Sequence, residues 1–367
     1  MRDVTERIKR RRRAVRAAWI VLAVFVLLCL GVGGYVAMLW RNGDRLNRAT
    51  MFRPGETEQI TLARGEDAAA LPTAQPSQTP ALYEGKATIS YAGKYYVLNE
   101  DIFSILFMGI DTTDAEQFQD IGVTAHQADS LILAVVAPTA NKLTMINIPR
   151  MTITEIRQLD ANFNYSRTTE SPLCIQYAFG DGKEQSCNLT REAVRNLLFH
   201  IPISRYISMN LDGLFAANDA IGGVEVLLLD DFTDVNPSMQ KGERYVLTGR
   251  DAETYVRGRI GKNLDGTNMS RTKRQVQYYK AFFAAAKAKL KEDPMFAVDL
   301  YSSLGGSIQT DLTMEEVIYL SKTVANMDMD DENIHTLEGT VKNEDFFVDD
   351  DALRELLIRV FYTEVGE

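Results

Sequence analysis

Histidine is scarce in this chain, with three in 367 residues. His126, His200 and His335 are scattered and share no ligand spacing, which argues against a zinc site or a Ser-His-Asp triad. Positive charge is also in deficit: 40 Lys and Arg stand against 50 Asp and Glu, a net charge of −10. Such a surface repels nucleic acid and anionic lipid in general, so no nucleic-acid partner is expected. No internal repeat is visible. Only three cysteines occur, Cys29, Cys174 and Cys187.

The basic residues that exist are unevenly placed. The first sixteen residues hold eight bases and two acids, and residues 17–40 then run without a charge. At about 1.5 Å per residue that run spans roughly 36 Å, enough for a hydrocarbon core of about 30 Å. Trp19, Tyr35 and Trp40 lie near its ends, where amphipathic rings settle. The expectation is a cytoplasmic basic tail (1–16), one transmembrane helix (17–40) and everything later outside the cell, in a single-pass cell-membrane protein. The tail carries a net +6 and the span nothing, so the whole-chain −10 leaves −16 for residues 41–367. Cys29 is then a small apolar residue of the span. An oxidising exterior would let Cys174 and Cys187 pair, closing a loop worth about 3 kcal/mol.

Residues 41–85 read as a tether, rich in Pro, Ala, Thr, Gln and Ser over 68–80. Order begins with a hairpin turning at Ala92-Gly93-Lys94. The almost wholly apolar run 103–110 predicts a strand buried on both faces, and 131–137 and 143–148 predict two more. Helices are expected over 190–199, 211–220 (stopped by Gly222-Gly223) and 270–290, with a strand over 224–229. This alternation argues for a layered α/β domain over 86–292, a mixed β-sheet flanked by helices. Residues 293–367 read as a mixed extension, with a capping box at Thr313-Met-Glu-Glu316 and a last amphipathic helix after Asp349–Asp351.

Against the acidic background one stretch stands out. Between Arg257 and Arg274 there are six Lys or Arg and one acid, Asp265. Guanidinium groups at that density suit closely spaced anionic oxygens, above all a pyrophosphate; a solvated basic face is the bland alternative. Arg271, Arg274 and Gln275 are spaced to share one face in the first turn of a helix, where free N–H groups also favour an anion. Asp111, Asp129 and Arg150 fall at strand ends, where side chains converge in α/β sheets. The two aspartates either neutralise arginines or hold a hard divalent cation, for which Mg²⁺ is the expected ion.

The ordered motifs Phe-Met-Gly-Ile-Asp111, Ala-Asp129, Ile-Pro-Arg150, Tyr-Ala-Phe-Gly180, Asp-Ala-Ile-Gly-Gly-Val224, Tyr-Val-Arg-Gly-Arg259 and Arg271-Thr-Lys-Arg-Gln275 resemble the LytR–CpsA–Psr family. The resemblance covers roughly 100–290 and implies a membrane-anchored transferase of wall glycopolymers. Its donor would be an undecaprenyl-pyrophosphate-linked glycan and its acceptor peptidoglycan. It further implies that Asp111 and Asp129 bind Mg²⁺ and that Arg150, Arg257, Arg259 and Arg271 hold pyrophosphate oxygens with Gln275. Asp129, Arg257 and Arg259 would be catalytic, with Asp129 accepting the hydroxyl proton. Arg274 would act as support, and the prenyl chain would lie in an apolar tunnel between sheet and helices.

The chain departs from the family pattern at three positions. Gln127 stands where many members have arginine, Met151 where aspartate is common, and Cys174 where asparagine is common. A non-catalytic protein that binds the lipid pyrophosphate or the wall, and a polyprenyl-pyrophosphate hydrolase, are the rival readings.

Overall fold

The computed structural model describes residues 38, 62, 88–113, 126–160, 162–258, 264, 267–293, 295–327 and 331–365. Apart from Met38 and Leu62, the tail, span and tether expected over 1–85 lie outside these residues. Among the described residues no helix is long and apolar enough to cross a membrane.

A hairpin comes first, β1 (Thr88–Tyr91) and β2 (Lys94–Leu98), turning through positive φ at Ala92 and Gly93. The apolar runs become β3 (Phe103–Ile110), β4 (Ala128–Ala137) and β5 (Lys142–Ile148). A ribbon follows, β6 (Ile153–Leu159) and β7 (Tyr165–Pro172), then a 3₁₀ turn over Leu173–Phe179 and helix α1 (Glu184–Leu197). Strand β8 (Arg205–Met209) precedes α2 (Leu211–Ala220) and the hairpin β9 (Val224–Leu227) and β10 (Arg244–Leu247). Helices α3 (Arg250–Arg257) and α4 (Asn268–Glu292) come next, then α5 (Phe296–Leu304) and β11 (Ile308–Thr310). The remainder is α6 (Met314–Asn326), β12 (Ile334–Thr336), the hairpin β13 (Gly339–Lys342) and β14 (Asp345–Val348), α7 (Asp350–Phe361) and β15 (Tyr362–Val365).

The central sheet runs β11-β8-β3-β4-β5-β12. Strands β3, β4 and β5 form an antiparallel meander, and β8 joins β3 in parallel. Alternation divides the side chains between two faces. Leu106, Leu131, Leu133, Val135 and Ile146 pack with Val194 and Leu197 of α1 and Leu353 and Leu357 of α7. Ile105, Ala134 and Val136 meet Leu312, Leu320 and Met327 around α6. Fully burying each such Leu or Ile contributes about 1.5–3 kcal/mol, so both faces need their cover. A third cluster, built on Val224, Phe232, Tyr255 and Tyr278, joins β9 and β10 to α3 and α4.

The division expected at residue 292 does not coincide with a break in the sheet. Strand β11 pairs with β8 and β12 with β5, so residues after 292 supply both edges, while β15 completes the β1-β2 sheet. The capping box at Thr313 and Glu316 forms as expected, and Glu316 also accepts from Arg205 at 2.7 Å, tying α6 to β8. Gly222 and Gly223 end the segment of α2 at φ +86° and +88°. Gly180 is required for a different reason: a Cβ there would lie 2.6 Å from the Ser186 backbone, so only glycine lets the 3₁₀ turn close onto α1.

Candidate active site

The strand register brings the two aspartates to one end of the sheet. Gly109 pairs with Ser130 and Ile110 with Ala128, so Asp129 is the extra residue of a β-bulge, while Asp111 follows directly on β3. A bulge leaves one residue unpaired and re-aims its side chain, a device common beside active sites. Arg150 emerges two residues beyond β5, whose end lies beside the start of β4. From the opposite layer, the first turn of α4 contributes Arg271.

These groups form one network. Arg150 Nη1 donates to Asp129 Oδ1, and Arg271 Nη1 lies 3.4 Å from Asp129 Oδ2. Arg150 Nη2 donates to Gln127 Oε1 and lies 3.3 Å from Cys174 Sγ. The two residues that depart from the family pattern, Gln127 and Cys174, therefore hold the Arg150 guanidinium. Gln127 N–H donates to Asp111 Oδ1 at 2.9 Å. Among the described residues nothing further donates to that carboxylate. Burial and then the neighbouring Asp129 push the Asp111 carboxyl above its ordinary value, against the pull of the Gln127 N–H, Arg257 and Arg150. Burial opposes the Arg150 charge, yet Asp129, Cys174 and Asp111 raise its pKa on balance.

Arg257 closes α3, donates to Glu253 Oε1 at 2.7 Å one turn back, and lines the same opening. Gln275 lines it too, with Nε2 donating to Val256 O at 3.3 Å. Arg274 does not share that face. It is fully buried, donating to Tyr255 O at 2.8 Å, to Gly258 O and to Asp230, with its guanidinium 5.3 Å from the Phe232 ring centroid. Arg274 stands about 100° around the helix from Gln275, and it turns toward α3 and Asp230 in a bracing role, the support the family resemblance implies. Arg259 lies outside the described residues.

Behind this mouth lies a cavity of about 900 Å³, counting its open end, between the sheet and α4. Phe107, Ile132, Ile207, Leu214, Phe282 and Phe283 make its wall, and Asp111, Asp129, Arg257 and Gln275 stand at its polar end. An apolar cavity thus lies between sheet and helices, where the prenyl chain is expected. Tyr279 was not foreseen: its hydroxyl donates to Ser130 Oγ at 2.6 Å, and burial pushes its pKa up to about 12, so it stays neutral. Its signal was present in the aromatic positions of α4 one and two turns beyond Arg271 and Gln275.

The cysteine expectation is corrected. Cys174 and Cys187 are both free and buried. Cys174 faces Arg150, whereas Cys187 sits on α1 with Sγ 3.4 Å from Ser208 Oγ, so the two thiols serve different neighbourhoods.

The residues present fit a divalent cation. Asp111 is a half-buried carboxylate, pushed above its ordinary value first by desolvation and then by Asp129, and one of its oxygens accepts nothing among the described residues. Asp129 would share its oxygens with Arg150 and Arg271.

The fold and mouth thus define a layered α/β protein with an apolar cavity that ends in a mixed guanidinium and carboxylate cluster. A model described as the LytR_cpsA_psr family matches residues 69–358, and the chain belongs to that family. It is 29% identical over 255 residues to the polyisoprenyl-teichoic acid–peptidoglycan teichoic acid transferase TagU of Halalkalibacterium halodurans, covering 68% of this chain and 74% of that protein. TagU of Bacillus subtilis strain 168 is 24% identical over 309 residues, covering 84% and 82% respectively. Crystalline B. subtilis TagV shares the fold, with a TM-score of 0.51 at 23% identity over 70% of this chain and 96% of that one.

Proposed function

We propose that this protein is a phosphotransferase that moves a glycopolymer from an undecaprenyl-pyrophosphate carrier to peptidoglycan. In this reading residues 17–40 anchor it in the cell membrane with the domain outside. The observation that carries the reading is the joining of an apolar cavity to a cluster of Arg150, Arg257, Arg271, Asp111 and Asp129. A prenyl diphosphate has that same sequence of chemistry, a long hydrocarbon and a doubly anionic head. The relatives named as teichoic acid transferases support the transfer and its acceptor.

An acceptor hydroxyl attacks the phosphorus that carries the sugar. The bond from that phosphorus to the bridging oxygen breaks, and polyprenyl phosphate leaves with the electron pair. The protein has little covalent chemistry to perform, so its task is to place cations around the phosphoryl oxygens. Arg150, Arg257 and Arg271 do so with Arg259, and the Gln275 amide adds a neutral donor. When Arg150 and Arg271 turn to phosphate, an oxygen of Asp129 is released to accept the hydroxyl proton. Mg²⁺ held by Asp111 and Asp129 would neutralise charge on the diphosphate. The apolar wall excludes water, which favours the sugar-bearing acceptor over hydrolysis.

The test uses the full-length protein in detergent with Mg²⁺, a polyprenyl-pyrophosphate-linked glycan and peptidoglycan. Transfer of labelled glycan to peptidoglycan supports the reading. Release of phosphate products without an acceptor indicates a hydrolase, and tight binding without turnover indicates a carrier-binding protein.

A further inference from the structure

The β6-β7 ribbon takes no part in the chemistry above, yet it grows directly out of the site. Its base is bracketed by Arg150 and Cys174, whose backbones are joined by a 3.0 Å hydrogen bond from Cys174 N–H to Arg150 O. Next to it, Leu173 N–H donates to Thr152 O at 2.9 Å. Buried Gln176 then grips the strand like a paired backbone: it accepts from Arg157 N–H at 2.7 Å and donates to Arg157 O at 2.9 Å. Ile156 is fully buried beneath. The ribbon is thus fixed to the mouth rather than loosely hung from it.

Farther out it buries almost nothing. Residues 165–168 of β7 are exposed on both faces. A two-stranded ribbon in water is marginal on its own, so a ribbon held this firmly calls for an occupant. At the turn the Asp160 carboxylate accepts from the N–H groups of Asn162 and Asn164, at 2.8 and 2.9 Å. This holds Phe163 at φ +59°, a costly conformation for an aromatic residue, with the ring 49% exposed. Tyr165 is 57% exposed, with the Arg157 guanidinium 5.6 Å from its ring centroid and Thr168 Oγ1 3.2 Å from its hydroxyl.

We infer that this ribbon is a platform for the acceptor glycan, presenting the Phe163 and Tyr165 rings to sugar C–H faces and Arg157 and Thr168 to sugar oxygens. The inference rests on the transferase reading for the identity of the glycan as peptidoglycan. Lipid is the other partner that exposed aromatics invite, but exposed Glu155 stands directly opposite exposed Glu170 on the same ribbon, and paired carboxylates repel an anionic membrane surface. The ribbon's base adjoins Arg150 and Cys174, so a polymeric glycan lying along it from the turn runs toward the mouth.

The experiment is co-sedimentation of the full-length protein in detergent with peptidoglycan sacculi stripped of attached polymers. It compares wild type, the double variant F163A/Y165A, Y165W and R150A, and binding of a polyprenyl pyrophosphate is measured in parallel. The double variant is expected to lose sacculus affinity at least about tenfold, as truncated aromatic anchors do, while keeping carrier binding. Y165W is expected to keep both, and R150A to lose carrier binding while keeping the sacculus. Wild-type sacculus binding by the double variant overturns the platform. Sacculus binding that depends on the two rings, in a protein that never transfers glycan, upholds the platform and removes the transferase reading instead.

Discussion

Arg271 and Asp129 are 142 positions apart and meet at 3.4 Å across the mouth of the cavity. One comes from α4 and the other from the bulge of β4, so a single carboxylate ties the helical layer to the sheet. Arg150 takes the other oxygen of that carboxylate. The Asp129 and Arg150 side chains are each 15% exposed and that of Arg271 is 4% exposed, so this is a largely desolvated group of charges.

Removing the shared anion leaves the buried Arg271 and the largely buried Arg150 without their common carboxylate. Asp129→Ala is expected to cost about 3–5 kcal/mol of unfolding free energy, measured by urea denaturation. A loss within about 0.5 kcal/mol, the range of ordinary surface changes, would show that the three charges are not coupled.

Two arginines of the same basic stretch should separate cleanly. Arg274 is buried against Asp230, Tyr255 O and Gly258 O, whereas the Arg257 side chain is 38% exposed. Arg274→Ala should lower stability by about 3–5 kcal/mol. Arg257→Ala should leave stability within about 0.5 kcal/mol and weaken prenyl-pyrophosphate binding by about 1.5–3 kcal/mol. Thermal melts and carrier titrations on the two variants read both effects.

The raised carboxyl of Asp111 makes a pH-dependent prediction. Its folded pKa lies above the unfolded value, so the native state holds the proton more tightly, and stability from this group falls as pH rises through that window. Asp111→Asn should therefore raise the melting temperature at neutral pH, with the gain disappearing below the ordinary value of 3.8. Mg²⁺ should stabilise the wild type and leave Asp111→Asn unaffected. Equal Mg²⁺ shifts in both proteins would remove Asp111 as a ligand.

Ile207 lies on the cavity wall and is only partly buried. Ile207→Trp should fill the cavity and reduce affinity for a long-chain prenyl pyrophosphate by at least about tenfold, with a short isoprenyl diphosphate much less affected. Equal losses for both ligands would place the hydrocarbon elsewhere.

Reductant should leave the melting temperature unchanged, because Cys174 and Cys187 stand apart as free thiols. A bridge between them would have contributed about 3 kcal/mol, and its reduction would lower the melting temperature by several degrees.

What could be read from the chain follows physical lines. Runs such as Phe103–Ile110 declare themselves because a strand covered on both faces needs apolar residues at every position. The basic stretch from Arg257 to Arg274 is legible because it contradicts the charge of everything around it. Strands β11 and β12 are three residues each, Ile-Gln-Thr and Ile-His-Thr, too short for any period to show, so the sheet edges beyond residue 292 were invisible. The ribbon Tyr165–Pro172 hides for the opposite reason: most of it faces water, so no hydrophobic pattern marks it. Cysteine partners depend on distances that spacing along the chain does not carry. Asp129 could be picked as a site residue, but the bulge that aims it is a property of register between two strands.

The most direct measurement is a crystal structure of the protein grown with a prenyl pyrophosphate and Mg²⁺. The diphosphate is expected among Arg150, Arg257, Arg271 and Asp111, with the hydrocarbon running past Ile207 and Phe282 beneath α4. A diphosphate bound away from these side chains, or a prenyl chain outside the cavity, would contradict the account.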